Sequence, residues 1–422
     1  MSLVLACGAL LASLLDCRPP GEAAPLRFWA FGREGEEARK LVPDFERAHG
    51  LRVQVQQVPW TAAHEKLLTA YVGRETPDLV QLGNTWVPEL VSLDALEPLA
   101  PFLARTSVLA ARDYFPGIWE TNVMEGRVFG IPWYVDTRVL YYRSDLVPQA
   151  PRTWEEWRDS LKLLKPKLRR GGYPILLPTD EWAQPAILGV QAGATLLKDG
   201  GRYGAFRSPE FRRAAEFYIS LFKDGFAPPV TNAQVSNVYQ QFDQGDFGMW
   251  ITGPWNIGEF RWRLRPERQG VWGTAPLPAP SSSAAPGLSL AGGSSLAIFR
   301  AGKRKDDAWK LAEFLSTRET QLRFYALCGD LPARLDAWDD PKLRDDPKAR
   351  AFGVQLRHVK GMPKVPEWEL IATRLFEHLD GVIRGQKPLG EALADLDAET
   401  DRILEKRRWL LDEAAKRRPD AR

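Results

Sequence analysis

Residues 126–146, Gly-Arg-Val-Phe-Gly-Ile-Pro-Trp-Tyr-Val-Asp-Thr-Arg-Val-Leu-Tyr-Tyr-Arg-Ser-Asp-Leu, decide how the rest of this sequence is interpreted. Residues 128–131 have the apolar composition of the end of one strand, and residues 139–142 that of the start of another. Pro132 lacks a backbone N–H, so we expect it to interrupt any ladder between them. The stretch therefore predicts a chain that leaves one sheet and enters a second, crossing between two lobes.

Two aromatic residues and a carboxylate stand at this crossing: Trp133, Tyr134 and, two residues later, Asp136. A sugar ring stacks on an aromatic face through its C–H groups, and its vicinal hydroxyls donate charge-assisted hydrogen bonds to a carboxylate. An aromatic-rich core strand that ends in a surface Asp would contain the same residue types. The stretch alone favours neither interpretation, so the rest of the chain has to decide.

Composition places the chain among ordinary globular proteins. Its 422 residues are enough for two domains or more, with 44% hydrophobic and 26% charged residues. The net charge of +3 is spread along the chain and indicates neither a nucleic-acid partner nor an acidic membrane surface. A basic run at 406–408 and 416–418 is interleaved with acidic residues and predicts a solvated helix face. Several of the 16 Trp residues stand beside turn residues, which favours pocket walls over core.

The N-terminus has the features of an export signal. Residues 1–17 contain an apolar run that is too short to span a bilayer but has the length of a signal-peptide core. Residues 18–25 are polar and proline-rich, as suits a tether. The segment resembles a bacterial lipoprotein signal with Cys17 as the lipidated residue. Asp16 departs from that pattern, so simple cleavage, lipidation at Cys7 and an upstream start codon stay open.

Strands and helices alternate from residue 26 and predict a βαβαβ unit with a parallel sheet. In such sheets ligands bind beyond the carboxyl ends of the strands, and here those ends carry Arg33, Glu34 and Trp86. The predicted elements are a strand at 26–31, a turn at 32–35, a helix at 36–49 stopped by Gly50, a strand at 51–58, a helix at 62–72 and a strand at 77–82.

Two further places combine an aromatic residue with a strand end or a turn. Glu181 and Trp182 follow a predicted strand at 174–177, and Trp255 follows a Gly-Pro turn, so we expect it to protrude.

Cys328 is the one cysteine beyond the N-terminal segment and is predicted to be a buried thiol without a partner. The other predicted elements are helices at 211–222, 235–242 and 305–315, strands at 245–251 and 296–299, a long connection at 276–293, and a loop at 360–367 before Trp368.

Taken in order, these stretches resemble the extracytoplasmic solute-binding proteins of the sugar-specific class that serve ABC importers, the group containing maltose- and trehalose-binding proteins. The resemblance covers nearly all of residues 26–405. It rests on the motifs at 33–34, 76–80, 126–136, 153–157, 245–255, 308–315 and 331–334.

The resemblance implies an α/β fold of two periplasmic-binding-protein-like lobes, with a hinge and an inter-lobe ligand cleft that closes on binding. We expect residues 26–134 with 292–331 in the first lobe, and 135–291 with 332–422 in the second. The implied ligand is a sugar, here a di- or oligosaccharide, and the implied partners are the ABC permease subunits with their ATPase. The resemblance also implies a monomer without enzymatic activity, cofactor or metal, outside the inner membrane in the periplasm or on a lipid anchor.

The resemblance further implies site residues, matched position by position. Asp136 falls where the family's inter-lobe carboxylate bonds sugar hydroxyls, and Arg33 with Glu34 where its first-turn polar pair lies. Trp255 and Trp368 match its stacking platforms. The full set of expected ligand-binding residues is Arg33, Glu34, Trp86, Trp133, Tyr134, Asp136, Glu181, Trp182, Trp255 and Trp368.

Two other classes of protein share some of these features. A carbohydrate-active enzyme would use Asp136 and Glu181 as its two carboxyl groups, but no hydrolase pattern accompanies them. Tyr141 and Tyr142 are similar to the tyrosine pair of ferric-ion binders. Adjacent residues of a strand point to opposite faces, however, so both side chains are not expected to meet one ion.

A non-sugar solute on the same scaffold stays open as an alternative. A phosphorylated polyol would need several Arg side chains or a helix N-terminus facing the cleft, and Arg33 or Arg334 supplies only part of this. The sequence has four His in all and lacks the pattern of a phosphate-binding loop, so it favours neither a metal site nor a nucleotide.

Overall fold

The computed structural model describes residues 24–416 of the chain. The predicted signal or lipoprotein segment, with Cys7 and Cys17, lies outside the described residues, as do residues 18–23 of the tether. Cys328 is a buried free thiol, as predicted. None of the helices within residues 24–416 has both the length and the apolar character needed to cross a bilayer.

Two sheets form the framework of the described residues. The larger has six strands in the order β15-β6-β14-β3-β1-β2, and the smaller has four in the order β12-β7-β11-β8. The strands are β1 (Leu26–Phe31), β2 (Val53–Val58), β3 (Leu79–Gly83), β4 (Val123–Met124), β5 (Arg127–Val128), β6 (Ile131–Asp136), β7 (Val139–Arg143), β8 (Tyr173–Leu176), β9 (Leu197–Lys198), β10 (Tyr203–Gly204), β11 (Phe247–Thr252), β12 (Trp272–Ala275), β13 (Ser289–Leu290), β14 (Gly292–Ile298), β15 (Leu331–Pro332) and β16 (Val359–Lys360).

Helices cover both sheets, so each sheet with its helices forms one lobe of an α/β fold. We call the lobe of the six-stranded sheet the first lobe and that of the four-stranded sheet the second. The helices are α1 (Gly32–His49), α2 (Trp60–Val72), α3 (Val87–Ser92), α4 (Ala100–Leu103), α5 (Pro116–Glu120), α6 (Trp154–Leu164), α7 (Ala183–Gln191), α8 (Pro209–Lys223), α9 (Val238–Gln244), α10 (Trp255–Arg263), α11 (Lys305–Leu315), α12 (Arg318–Cys328), α13 (Pro341–Arg344), α14 (Pro347–Gln355), α15 (Trp368–Ile383), α16 (Leu389–Ile403) and α17 (Glu405–Lys416).

The predicted βαβαβ unit is confirmed at the start of the first lobe. Strand β1 pairs in parallel with β2 on one side and with β3 on the other. Helix α1 ends at His49, and Gly50 follows with φ of +64° and donates its N–H to the Glu46 carbonyl. That left-handed conformation suits glycine, so the predicted stop of the helix is also confirmed.

The predicted turn at 32–35 is wrong, because α1 begins directly at Gly32. Gly32 has φ of +52°, and a Cβ placed there would lie 2.6 Å from the Trp60 ring. The positive φ lets the chain change direction within one residue, and the missing side chain leaves room for the indole. Arg33 and Glu34 therefore lie in the first turn of a helix rather than in a loop.

The crossing between sheets is confirmed, but the expected effect of Pro132 is not. Strand β6 belongs to the six-stranded sheet and β7 to the four-stranded one, so the chain passes between them at 137–138. Pro132 is paired with Ser295 inside the β6–β14 ladder, where the register shifts between Ser294 and Ser295. An irregularity of this kind tolerates a residue that has no N–H to donate, so the ladder continues past the proline.

Three groups of buried apolar side chains form the core. One packs α1, α11 and α12 against one face of the six-stranded sheet and continues to β7 and β12 of the other sheet. A second covers the opposite face of the six-stranded sheet beneath α2 and α3. The third lies between the four-stranded sheet and α6, α7, α8, α15 and α16. Each fully buried Leu or Phe contributes about 1.5–3 kcal/mol, so these groups supply most of the stability of the lobes.

Candidate ligand-binding cleft

A cavity of about 490 Å³ lies where the two lobes face each other. Its wall on the first lobe is built at the carboxyl ends of three parallel strands. Arg33 and Glu34 follow β1, Trp60 opens the helix after β2, and Asn84 and Trp86 follow β3. Parallel strands bring their carboxyl ends to the same edge of a sheet, which explains why side chains far apart in sequence meet here.

The opposite wall comes from the second lobe and from the crossing strands. Asp136 ends β6, Trp182 precedes the first turn of α7, Trp255 and Glu259 lie on α10, and Glu369 lies in the first turn of α15. The structure therefore brings together most of the residues that the sequence predicts for the site. Those that line the cavity are Arg33, Glu34, Trp86, Tyr134, Asp136, Trp182 and Trp255.

Trp133 does not line the cavity, and its predicted role at the site is wrong. It is completely buried, and its ring stacks on Phe324 with centroids 4.4 Å apart. The reason is the alternation of side chains along a strand, because adjacent residues point to opposite faces. Tyr134 directs its hydroxyl to the cleft, so its neighbour Trp133 belongs to the core of the first lobe.

Trp368 and Glu181 also lie outside the lining of the cavity. Trp368 is completely buried and meets the Trp182 ring edge to face at 5.5 Å, so it supports the lining residue instead of presenting a face to a ligand. The Oε1 atom of Glu181 accepts a hydrogen bond from Asn232 Nδ2 at 3.3 Å. The neighbour of each residue lines the wall: Trp182, which was also predicted, next to Glu181, and Glu369, which was not, next to Trp368.

Glu34 is held in place by two donors at the floor of the cleft. The Tyr134 hydroxyl donates to Glu34 Oε1 at 2.9 Å, and Trp60 Nε1–H donates to Oε2 at 3.3 Å. Tyr134 in turn accepts a hydrogen bond from Gln81 Nε2 at 2.8 Å. Burial raises the pKa of the Glu34 carboxyl, and the nearby charge of Asp136 adds to the effect against these donors. Glu34 is therefore a pre-oriented acceptor in a poorly hydrated site.

Asp136 forms an ion pair with Arg138 two residues later. Burial raises the pKa of Asp136, and the Arg138 guanidinium opposes that rise. The same guanidinium lies 4.8 Å from the centroid of the Trp255 ring, within the range of a cation–π interaction. Asp136, Arg138 and Trp255 thus form one connected group that links the crossing strand to α10.

The charges of the cleft are predominantly negative. The carboxyl groups that line it are Glu34, Asp136, Glu259, Asp330 and Glu369, and the guanidinium groups are Arg33 and Arg138. Arg33 Nη1 lies 3.5 Å from Glu259 Oε1, so both guanidinium groups already have a carboxylate partner. Arg334 does not line the cavity, because its guanidinium donates to both carboxylate oxygens of Asp336.

Comparison with known proteins identifies the class of molecule that has this cleft. Residues 31–322 match the family described as bacterial extracellular solute-binding protein. The chain belongs to this family. It is also similar to the sugar-binding protein MalE of Xanthomonas citri, at 45% identity and a TM-score of 0.87, over 92% of this chain and 99% of that one.

Two other proteins that are similar to this chain are also binding proteins. A solute-binding protein of an ABC transporter from Thermotoga lettingae, solved with alpha-D-tagatose, is 26% identical with a TM-score of 0.79, over 90% of this chain and 100% of that one. A putative binding protein of Brucella abortus is 27% identical over 387 residues, which is 88% of this chain and 90% of the relative. The family and its structural neighbours are binding proteins, and the family is extracellular.

The structure also bears on the ferric-ion alternative for this solute-binding protein. Tyr141 packs in the core group shared by the two sheets, and its hydroxyl donates to the Gly253 carbonyl at 2.9 Å. Tyr142 packs against the core group of the second lobe, on the opposite face of β7. The expected separation of the two side chains is therefore confirmed. Within residues 24–416, no cluster of His, Cys, Asp or Glu is arranged to hold a metal ion.

Several residues of the cleft were missed by the sequence reasoning. Trp60 lies two residues after the end of β2, so the rule that predicted Arg33 and Trp86 at strand ends would also have found it. Arg138 is placed by its ion pair with Asp136, which i and i+2 spacing does not predict. Asp330 and Glu369 gave no local signal, because they reach the cleft only through the packing of the last third of the chain.

Proposed function

We propose that this protein is the sugar-capturing component of an ABC importer, which holds a di- or oligosaccharide between its lobes and delivers it to the membrane permease. The observation that carries the proposal is the pairing of aromatic faces with carboxylates on both sides of one cavity. Trp60 and Trp86 line it from the first lobe with Glu34, and Trp182 and Trp255 line it from beyond the crossing.

This arrangement suits the two chemical surfaces of a sugar. The C–H face of a ring packs on an indole, and the hydroxyls at its edge donate to carboxylates that are already fixed by other donors. The cavity volume of about 490 Å³ lies within the usual range for a small-molecule site. The cleft has more stacking faces than one ring can cover, which favours a ligand with two or more rings.

Closure would follow from contact with both lobes at once. A ligand that touches Glu34 on one lobe and Trp255 on the other stabilises the closed arrangement by its greater affinity for it. The chain passes between the sheets at 137–138, at 276–291 and after β15. These crossings are the proposed hinge, about which the first lobe and the second lobe move against each other as two bodies.

The remaining parts of the proposal concern the setting of the protein. It acts as a monomer without catalysis, cofactor or metal, and the closed form presents both lobes to the permease, whose ATPase supplies the energy for transport. Lipidation of Cys17 would hold it outside the inner membrane, with residues 18–25 as the tether; cleavage alone would release it into the periplasm.

A ligand screen tests this function directly. Neutral mono-, di- and oligosaccharides, including maltose, trehalose, sucrose and maltotriose, are titrated while tryptophan fluorescence and thermal unfolding are followed. We expect at least one neutral sugar to shift the emission and raise the unfolding midpoint, since a ligand that binds only the folded state stabilises it. A response limited to phosphate esters or metal ions, with every neutral sugar silent, would contradict the proposal and favour the phosphorylated-polyol alternative.

A further inference from the structure

A buried carboxyl group in the cleft has no cation to balance it. Asp330 lies between α12 and β15, is only 4% exposed and lines the cavity. Among residues 24–416, no Lys, Arg or His forms an ion pair with it within 4.0 Å, and the Arg33 guanidinium of the same cavity lies beside Glu37 and Glu259 instead. The Asp330 side chain lies beside the Cys328 thiol. Burying such a group costs free energy unless strong partners replace the lost water.

Asp330 and a second carboxyl group, that of Glu34, line the same cavity. The charge of Glu34 is, after burial itself, the largest cause that raises the pKa of Asp330 well above its usual value. Asp136 raises it further, while Arg33 contributes a weak opposing effect. Burial and the neighbouring carboxyl groups therefore both disfavour the ionised form of Asp330.

The fold gains no visible structural benefit from this residue. Gly329 already ends α12 in the left-handed conformation and donates its own N–H to Tyr325. The carboxyl of Asp330 therefore caps no helix end. A costly buried charge that does not serve the fold is typical of binding and catalytic sites.

We propose that Asp330 is a ligand-binding residue, and that Asp330 and Glu34 together bind adjacent hydroxyl groups of an uncharged sugar and repel anionic sugars. This inference rests on the proposed function. A hydroxyl group both donates and accepts, so it can bond to a carboxyl group whether that group is ionised or protonated. A phosphate or carboxylate on the ligand would instead add a negative charge to a buried acidic site.

The other charges around the pair support the exclusion of anions. Arg138 is paired with Asp136 and Arg33 with Glu259, so neither guanidinium is free for a phosphate group. Glu369, across the cleft, adds a further carboxyl whose buried Oε1 has no hydrogen-bond partner among the described residues. The acidic groups that line the cavity thus outnumber the basic ones.

The test compares three variants by calorimetric titration with whichever neutral sugar wild type binds. Asp330→Ala removes the carboxyl, and Asp330→Asn keeps its shape and a polar amide. Asp306→Asn is the control, since Asp306 is exposed and does not line the cavity. We expect the Ala variant to bind at least about tenfold more weakly, the Asn variant about three- to tenfold more weakly, and the control like wild type. Wild type should show no binding of glucose 6-phosphate or trehalose 6-phosphate.

The possible outcomes separate this inference from the function it rests on. A wild-type protein that binds no sugar overturns the proposed function and this inference with it. A folded Ala variant that binds the sugar as tightly as wild type overturns the role of Asp330 alone. If the Ala variant does not fold, the Asn variant decides, and an affinity within twofold of wild type at both pH 6 and pH 8 overturns it. Tight binding of either phosphate ester overturns the exclusion of anions.

Discussion

Arg33 and Glu259 form an ion pair across the cleft, with Nη1 and Oε1 3.5 Å apart, which joins the first turn of α1 to α10. The same guanidinium lies 3.8 Å from the centroid of the Trp262 ring, also on α10. The Arg33 side chain is 42% exposed, so contacts of this kind are worth about 0.2–1 kcal/mol each. They favour the arrangement with the lobes together without making closure irreversible.

The weak contact predicts a modest effect of Trp262→Ala on affinity. Trp262 does not line the cavity, so the substitution removes the inter-lobe contact with Arg33 without removing a wall of the cavity. We expect sugar binding to weaken by about two- to fivefold, which corresponds to a loss of about 0.5–1 kcal/mol. Trp409→Ala serves as the control, because Trp409 is 61% exposed on α17. Unchanged affinity in a folded Trp262 variant would show that the contact does not favour closure.

Trp255 and Asp136 should matter more to binding than to folding. Trp255→Ala removes a stacking face that lines the cavity and should cost about 1–3 kcal/mol of binding free energy. Asp136→Ala removes a charged hydrogen-bond acceptor and should cost about 1.5–3 kcal/mol of binding free energy. Calorimetric titration measures the affinities and circular dichroism the thermal midpoints. A variant with a collapsed midpoint and intact sugar affinity would identify its residue as part of the core.

Trp133→Ala should show the opposite behaviour to Trp255→Ala. Its completely buried ring stacks on Phe324, and its centroid lies 5.9 Å from that of the Phe28 ring. Truncation therefore leaves a cavity in the first lobe. Core truncations of Trp cost about 3–5 kcal/mol of unfolding free energy. Urea unfolding followed by fluorescence at another Trp measures this loss. If stability is kept and sugar affinity falls, Trp133 contacts the ligand after all.

The raised pKa of Asp330 predicts how its substitution changes stability with pH. A carboxyl whose pKa is higher in the folded state contributes stability below its unfolded pKa of about 3.9, and this is lost as the pH rises through the folded value. Asp330→Asn removes that loss. We therefore expect the thermal midpoint of the variant to exceed that of wild type by a growing margin as the pH rises above about 3.9, although the variant binds sugar more weakly. Parallel pH curves for the two proteins would argue against a strained carboxyl at this position.

Small-angle scattering should detect closure of the lobes. If a sugar draws the first lobe towards the second, the radius of gyration falls when saturating ligand is added. Samples at several protein concentrations exclude association as a cause of any change. An unchanged radius in a sample shown to bind sugar would mean that the lobes do not move or are already closed. Limited proteolysis near residues 276–291, with and without sugar, then separates those two cases.

Local patterns predicted much of the first lobe correctly. The alternation of strand and helix gave the parallel pairing of β1 with β2 and β3, and Gly50 ended α1 where expected. The predicted interruption of the ladder at Pro132 was wrong, because the effect of a proline on a ladder depends on the partner strand. Here the partner strand shifts its register at that point. The predicted turn at 32–35 was also wrong, because the positive φ of Gly32 lets the chain change direction within one residue.

For the candidate site, too, some residues could be predicted from local sequence and others could not. The residue types and the strand ends predicted Arg33, Glu34, Trp86, Asp136, Trp182 and Trp255, all of which line the cavity. Trp133 and Trp368 have the same residue type as the lining tryptophans but lie in the core. Their difference is one of direction, because a shift of one residue along a strand or into a helix turns the side chain from the cleft to the interior.

The sequence by itself determined the elements, the crossing between the two sheets and the family to which the chain belongs, because periodicity, turn residues and motif order act over short distances along the chain. Only the tertiary structure decided which aromatic side chains face the cleft and which carboxyl groups lie together there. Glu34 and Asp330 are far apart in sequence, and the charge of Glu34 raises the pKa of Asp330 only because the fold brings both residues to one cavity. Electrostatic interactions depend on distance and burial in space, and neither can be read from local sequence.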